Sequence, residues 1–202
     1  FLTAEVVDST QTITFSSTPN FNGTETVYLM ATVNGKTAFD EFVITIDPVN
    51  DAPSLVKIED QTTNEDQTIS NLFVEANDID NVQSELTLTV TSSNEALVAN
   101  SDLSVQRIEG GFLLSISPVK DQSGSLDLYV VLSDGLLEQK DTFNVSISPI
   151  NDAPVASTLI PQDATEDQSY ELIVSQFFTE PDDEPLTVDV TQQPDWMTLE
   201  NG

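Results

Sequence analysis

The sequence contains no cysteine and no histidine, and its 202 residues include only five Lys or Arg against 35 Asp or Glu. Zinc and copper sites therefore lose their usual ligands. Ser-His-Asp and Cys-His nucleophilic centres are excluded for the same reason. The formal net charge of −30 excludes a nucleic-acid surface, because clustered cations are needed there to neutralise phosphates. Charge also argues against docking on anionic lipid, and no apolar run is long enough to insert directly into a membrane.

What the sequence does contain is 38% hydrophobic residues in regular alternation, which is enough to build packed cores despite the acidity. So many carboxylates in a folded chain have two physical explanations. They keep the protein soluble through charge, or they bind divalent cations that prefer oxygen ligands.

An internal repeat organises the chain. Residues 50–53 read Asn-Asp-Ala-Pro, and residues 151–154 repeat them letter for letter, 101 residues later. Glu65-Asp66 recurs as Glu166-Asp167 at the same offset. A period of about 100 residues is too long for one turn of a solenoid and fits one small domain. The repeat therefore predicts tandem domains that meet at two Asn-Asp-Ala-Pro junctions.

Short alternating runs between turn residues predict β-strands throughout, with no sustained helical period. In the first part the predicted strands are 12–15, 27–31 (a buried strand) and 42–46, with a hairpin turn at Asn34-Gly35. In the middle part they are 69–74, 86–90, 112–116, 126–132 and 143–147. In the last part they are 170–174 and 186–190. Strands of this length and spacing indicate an all-β fold of immunoglobulin-type β-sandwiches.

The repeat also predicts where the domains begin and end. Residues 51–151 correspond to one complete domain, residues 1–50 to the second half of a domain, and residues 152–202 to the first half of another. Because a sandwich carries its termini at opposite ends, we do not expect the two halves to pair within one chain. We expect neighbouring polypeptide to complete them, either in a longer chain or in copies arranged head to tail.

Several of these segments resemble a known family. Residues 42–53 and the turn at 20–24 (Asn-Phe-Asn-Gly-Thr) resemble bacterial cadherin-like repeats, and residues 178–182 and 194–197 resemble a dystroglycan-type cadherin-like module. The resemblance implies tandem immunoglobulin/cadherin-like β-sandwiches from large extracellular or cell-surface bacterial proteins, including adhesins. Such repeats act as extenders, or as adhesive or glycan-binding modules.

The resemblance also implies calcium at each junction. At the first junction the matching residues are Asn50, Asp51, Asp78, Asp80 and Asp134. At the second they are Glu65 or its neighbour Asp66, with Asn151, Asp152, Glu180 and Asp182. Calcium takes six to eight oxygen ligands, and carboxylates and Asn carbonyls both suit it. The other interpretation is that these residues are ordinary turn formers at domain ends. Neither junction has the extra Asn of cadherin linkers, which favours one or two ions over three.

The resulting expectation is a non-catalytic, calcium-stiffened extender or adhesion segment on a bacterial surface, whose partners are neighbouring repeats or copies. Two alternatives remain open: a filament subunit whose half domains are completed by other copies, and a module that binds cell-surface glycan or protein. Glu65-Asp66 and Asp182-Asp183-Glu184 also suit a glycosidase carboxylate pair, but their recurrence at domain ends favours a structural role. Trp196 is predicted to be a core anchor rather than a sugar-stacking residue.

Overall fold

The computed structural model describes residues 2–7, 12–160, 163–166, 168, 170–173, 176–182, 184–193 and 195. Its strands are β1 (Leu2–Val7), β2 (Thr12–Ser17), β3 (Gly23–Val33), β4 (Lys36–Ile46), β5 (Ser54–Leu55), β6 (Gln61–Asn64), β7 (Ile69–Asn77), β8 (Thr87–Ser92), β9 (Leu103–Ile108), β10 (Gly111–Ile116), β11 (Gly124–Ser133), β12 (Glu138–Ser148), β13 (Val155–Ala156) and β14 (Phe178–Thr179). A short 3-10 helix at Asn100–Asp102 precedes β9. Within these residues no helix is long and apolar enough to cross a membrane.

Strands β5 to β12 form a sandwich of two four-stranded sheets, with strand orders β5-β7-β10-β9 and β6-β12-β11-β8. Neighbouring strands are antiparallel, except that β6 runs parallel to the end of β12, where Gln61 pairs with Val145. Buried and exposed residues alternate along β11, as expected of a strand with one face on a core. The prediction of an all-β sandwich fold is confirmed.

The two sheets of this central sandwich enclose a single hydrophobic cluster of 18 buried residues. Leu114 and Ile116 of β10 reach it from one sheet, and Leu128 and Phe143 from the other. Close packing of large apolar side chains from both sheets fixes the strand ends rigidly. Loops that leave these ends are therefore held at defined positions, and Glu65, Asp66, Asp78, Asp80 and Asp134 lie on such loops.

Strands β1 to β4 form two antiparallel pairs, β1–β2 and β3–β4, and among the described residues each strand pairs only within its own pair. As predicted, Asn34-Gly35 forms the turn of the β3–β4 hairpin, with φ of 51° and 75°. The hairpin repeats β11–β12 at the 101-residue offset, so Phe42 occupies the position of Phe143. Phe42 is 39% exposed, whereas Phe143 is 1% exposed.

The predicted strand at 27–31 lies within β3, but the prediction that it is buried is wrong. Val27 and Leu29 are only half-buried, and Tyr28 and Met30 are exposed. The reason is that no described sheet pairs or packs face to face with this hairpin in the way that β7 and β10 cover β11 and β12. Phe15 of β2 makes one edge contact with Phe42, at 5.9 Å between ring centroids.

The predicted strands at 170–174 and 186–190 are wrong for the residues described there, since 170–173 and 186–190 are not strands. In the central sandwich β7 is hydrogen-bonded to β10, and β8 to β11. The described part of the last segment contains no counterpart of β10 or β11. Residues 170–173 and 186–190 therefore have no neighbouring strand there with which to form backbone hydrogen bonds. Residue 174 and Trp196 lie outside the described residues.

One pairing of the last segment does repeat the central sandwich. Val155 pairs with Thr179 in β13–β14, as Ser54 pairs with Asn77 in β5–β7. The segment that follows the second junction therefore begins with the same strand contact as the central sandwich.

Equivalent phenylalanines in the two hairpins provide a test of this difference in burial. Phe143→Ala empties a filled core position and is expected to lower the free energy of unfolding by about 3–5 kcal/mol. Phe42→Ala is expected to change the main unfolding transition by less than about 0.5 kcal/mol, because its hairpin lies off the central core. Urea unfolding followed by circular dichroism measures both. Equal decreases in the free energy of unfolding would contradict the difference in burial between Phe42 and Phe143.

Candidate metal centre at the second junction

Glu65 anchors the second junction to the central sandwich. It follows β6 directly, and its backbone N–H donates to the carbonyl of Ser148 at the end of β12, at 2.9 Å. Its carboxylate Oε1 accepts a hydrogen bond from the backbone N–H of Ile150 at 2.6 Å. The residue is only 3% exposed. Glu65 therefore fixes the direction in which the chain leaves β12 and enters the linker at Asn151.

Asp66 and Asp121 lie on two loops that meet at the same end of the sandwich. Both have left-handed backbones, with φ of 59° and 53°, a conformation that Asp and Asn tolerate better than most residues. The backbone N–H of Asp121, in the loop between β10 and β11, donates to Asp66 Oδ1 at 3.1 Å. This bond holds the two carboxylates at neighbouring positions.

Asp152 of the linker and Asp182 after β14 complete the set from the other side. The backbone N–H of Asp152 donates to Asp182 Oδ2 at 2.7 Å. Carboxylate oxygens of Glu65, Asp152 and Asp182 lie within 4.8 Å of one another, and so do those of Asp66, Asp121 and Asp152. Two oxygens that each lie about 2.4 Å from one calcium ion can be at most about 4.8 Å apart. Each trio is therefore compact enough to surround an ion, and Asp152 belongs to both. We call these five residues the junction cluster.

One buried oxygen of the junction cluster has no hydrogen-bond partner among the described residues. Asp152 Oδ2 is buried and accepts no hydrogen bond in the described structure. Burial raises the pKa of Asp152, and the nearby charges of Asp121, Asp182 and Asp66 raise it further, while Lys120 partly opposes them. Buried polar atoms are normally satisfied. A cation would satisfy Asp152 Oδ2 and favour its charged form. Because its metal ligands would all be carboxylates, the cluster suits Ca²⁺, Mg²⁺ or Mn²⁺ rather than zinc.

The first junction repeats the backbone geometry of the second. The N–H of Asp51 donates to Asp80 Oδ2 at 2.7 Å, just as the N–H of Asp152 donates to Asp182 Oδ2. An acidic side chain also accepts from a backbone N–H in the turn after each of these bonds. Asp78 Oδ1 accepts from the N–H of Asp80 at 2.7 Å, and Glu180 Oε2 accepts from the N–H of Glu184 at 2.7 Å. Asp78 Oδ2 is a second buried oxygen without a described partner. The repeated sequence therefore encodes a repeated hydrogen-bond pattern.

Asn50 and Asp134 connect the first linker to the central sandwich. Asn50 Nδ2 donates to Asp134 Oδ2 at 2.8 Å and to the carbonyl of Asp51 at 3.0 Å. Asp134 Oδ1 accepts from the backbone N–H groups of Leu136 and Leu137, each at 2.6 Å. The bond from Asn50, followed by those from Leu137 and Leu136, lowers the pKa of Asp134. Both oxygens of Asp134 are thus already satisfied by donors.

The structure brings together some of the predicted ligands and not others. At the second junction Glu65, Asp66, Asp152 and Asp182 converge, while Asn151 donates to the carbonyl of Asp152 at 3.4 Å. Glu180 accepts from the N–H of Glu184 at 2.7 Å and belongs to neither trio. At the first junction the predicted residues are joined by hydrogen bonds, but within the described chain they form no carboxylate trio. The position one repeat before Glu65 precedes residue 1. Metal binding by the predicted set stays a prediction for Asn50, Asp51, Asp78, Asp80, Asp134, Glu65, Asp66, Asn151, Asp152, Glu180 and Asp182.

Sequence reasoning missed Asp121, which belongs to one of the trios. A signal was present: Asp121 stands one repeat after Asn20, in the turn 20–24, and both residues have positive φ. The sequence identifies that position as a turn. Only the folded loop places its carboxylate beside Asp66.

Comparisons with known proteins find similar structures but no family. No protein-family model matches the sequence, and no curated protein matches it. Titin domain M7 is 16% identical over 50% of this chain and 99% of that chain, with a TM-score of 0.40. An endo-fucoidan hydrolase of glycoside hydrolase family 107 is 19% identical over 100% of this chain and 33% of that chain, with a TM-score of 0.39. Domains 4 and 5 of the S-layer protein SbsC are 18% identical over 72% and 65%, with a TM-score of 0.39. These likenesses carry no conclusion about activity or partners, and the sandwich assignment rests on the sheet topology.

Removing the charge of Asp152 tests the electrostatics of the cluster. A carboxyl whose folded-state pKa is raised stabilises the protein below the unfolded value of about 3.9, and that contribution is lost as pH rises through the folded-state pKa. With chelator present, Asp152→Asn is therefore expected to melt at a higher temperature than wild type at neutral pH. The difference should shrink as the pH falls toward about 4.

Asp134→Asn serves as the matched control, because its melting temperature should shift in the opposite direction. The lowered pKa of Asp134 stabilises the protein above the unfolded value, and that contribution is lost as pH falls through the folded-state pKa. This variant should melt below wild type at neutral pH. Thermal unfolding of both variants across the acid range measures the pair, and two shifts of the same sign would contradict the electrostatic account.

Proposed function

We propose that this chain is a non-catalytic, cadherin-like segment of an extracellular or cell-surface protein, in which calcium bound at the domain junctions stiffens the array. The observation that carries the proposal is the junction cluster, in which carboxylates from the central sandwich meet carboxylates from the linker and the next segment. The buried, unpartnered Asp152 Oδ2 supports it, because a cation is the partner that this position lacks.

In the proposed mechanism Asp66 and Asp121 of the sandwich hold one ion together with Asp152 of the linker. Glu65 of the sandwich and Asp182 of the following segment hold an ion on the other side of Asp152. Without a cation the negative charges repel one another, and the linker conformation is not fixed. This repulsion is strong because close carboxylates interact more strongly where water is partly excluded. A divalent ion supplies the missing positive charge and joins the two sides. The angle between successive domains is then fixed.

The chemistry of the donors favours calcium among the divalent cations. Calcium accepts six to eight oxygen ligands in irregular geometry, whereas magnesium requires a near-ideal octahedron and dehydrates reluctantly. The chain offers many carboxylates and no histidine or cysteine. Extracellular modules typically bind calcium with dissociation constants of about 10⁻⁴–10⁻³ M, which suits a joint that is occupied outside the cell.

We also propose that residues 51–151 form one complete domain and that neighbouring polypeptide completes residues 1–50 and 152–202. The supporting observation is the inner face of the β3–β4 hairpin. Val27, Leu29, Ile44 and Ile46 are half-buried there, although their repeat counterparts lie in or beside the central core. A longer chain or a head-to-tail filament of copies would cover this face.

Calcium-dependent unfolding tests the proposed joint. A ligand that binds only the folded state stabilises it by about 2.7 kcal/mol at a concentration 100 times its dissociation constant. For a domain of about 100 residues that is an increase in melting temperature of about 10 °C or more. We expect this increase for wild type in excess calcium over chelator, and its loss in Asp121→Asn and Asp182→Asn.

Glu109→Gln is the control for this experiment, because it removes one negative charge from the exposed turn between β9 and β10. It should respond to calcium as wild type does. Magnesium at the same concentration should give a smaller increase. If wild type melts at the same temperature with calcium and with chelator, the junctions are ordinary turns.

Fusing two copies head to tail tests the proposed completion of the half domains. Residues 152–202 of the first copy and residues 1–50 of the second together supply 101 residues, one repeat length. The fusion should therefore gain a third sandwich. Calorimetry should record an unfolding enthalpy that exceeds twice the single-chain value by about 60–80 kcal/mol.

Phe42→Ala in the second copy should weaken only the added transition, and the same substitution in the first copy should not. An enthalpy equal to twice that of the single chain would show that the half domains do not complete one another.

A further inference from the structure

A side-chain cation already lies against the junction cluster. Lys120 Nζ is 2.6 Å from Asp121 Oδ1 and 2.6 Å from Asp121 Oδ2. Asp121 is one of the three carboxylates, with Asp66 and Asp152, that are close enough to share an ion. The ammonium group therefore occupies both oxygens that Asp121 would offer to a metal.

The charge of Lys120 acts on the cluster as a whole. The hydrogen bond to Asp121 raises the pKa of Lys120, and the charges of Asp121, Asp66 and Asp152 also raise it, against a smaller effect of burial. The same ammonium group opposes the rise in the pKa of Asp152. With only five Lys or Arg in 202 residues, such positive charge is scarce in this chain.

Lys120 does not belong to the repeat. One repeat earlier, Pro19 precedes Asn20, where here Lys120 precedes Asp121. The repeated turn therefore needs no cation at this position for its geometry. The side chain of Lys120 is 75% exposed, so it can turn into solvent without disturbing the packing of the sandwich.

We propose that Lys120 is a tethered cation that competes with a divalent ion for Asp121 and so sets the calcium affinity of the second junction. This inference rests on the proposed function. When no ion is bound, the ammonium group partly neutralises the carboxylates and limits their repulsion. When calcium binds, it displaces the ammonium group from both oxygens of Asp121, and Lys120 swings out on its flexible stem. The binding energy is reduced by the ion pair that is lost.

Calorimetric titration of the full chain with calcium chloride tests the competition. Lys120→Gln removes the competing charge and should tighten calcium binding by up to about fivefold, the range set by the loss of one largely exposed ion pair. With chelator present the same variant should melt at a lower temperature than wild type, because the carboxylates lose their internal cation. Weaker apo stability with tighter calcium binding is the combined signature of displacement.

Two control variants separate competition from a general effect of charge. Lys120→Arg keeps a bidentate cation on Asp121 and should bind calcium no more tightly than wild type. Lys140→Gln removes an equal charge from β12, where Lys140 pairs with Glu138, and should leave the affinity unchanged. A gain in Lys140→Gln as large as in Lys120→Gln would overturn direct competition.

The remaining outcomes distinguish this inference from the proposed function. If wild type binds calcium and Lys120→Gln binds it with the same affinity, the role of Lys120 is overturned and the proposed joint stands. If neither protein binds calcium, both are overturned. If only Lys120→Gln binds, the competition is supported and the wild-type junction is a weaker site than proposed.

Discussion

The second junction depends on how the negative charge around Asp152 is balanced. One of its oxygens is buried and accepts no hydrogen bond from the described residues, and the carboxylates of Asp121, Asp182 and Asp66 lie nearby. Lys120 supplies a single positive charge from one side. Because the carboxylates come from both the sandwich and the linker, any cation that compensates them also ties the two together. Neutralising the carboxylates at this junction therefore also orders the linker.

The central sandwich makes that coupling possible because it holds its share of the cluster rigidly. Its close-packed core fixes the ends of β6 and β12, and Glu65 joins those ends through Ser148 and Ile150. Asp121 is tied to Asp66 across two loops of the same end. An ion bound there would contact ligands that are already positioned on the sandwich side. The conformational entropy lost on binding would therefore come mainly from the linker and the segment beyond it.

Much of this architecture could be predicted from the sequence, because strand alternation and turn residues are local signals. The exact repeat of Asn-Asp-Ala-Pro corresponds to a repeated bond, from Asp51 to Asp80 and from Asp152 to Asp182. The sequence-based predictions were wrong or incomplete where the local structure depends on residues that are distant in the sequence. Residues 186–190 alternate like β8 but have no neighbouring strand among the described residues, and Asp121 reaches the cluster only through the folding of its loop.

The most direct test of the account is a crystal structure of the chain grown in calcium, with anomalous scattering used to identify the ion. We predict an ion at the second junction, about 2.3–2.6 Å from carboxylate oxygens that include Asp152 and at least one residue of the sandwich. Lys120 should then point away from Asp121. An ordered junction in saturating calcium that holds no ion, with Lys120 still paired to Asp121, would contradict it.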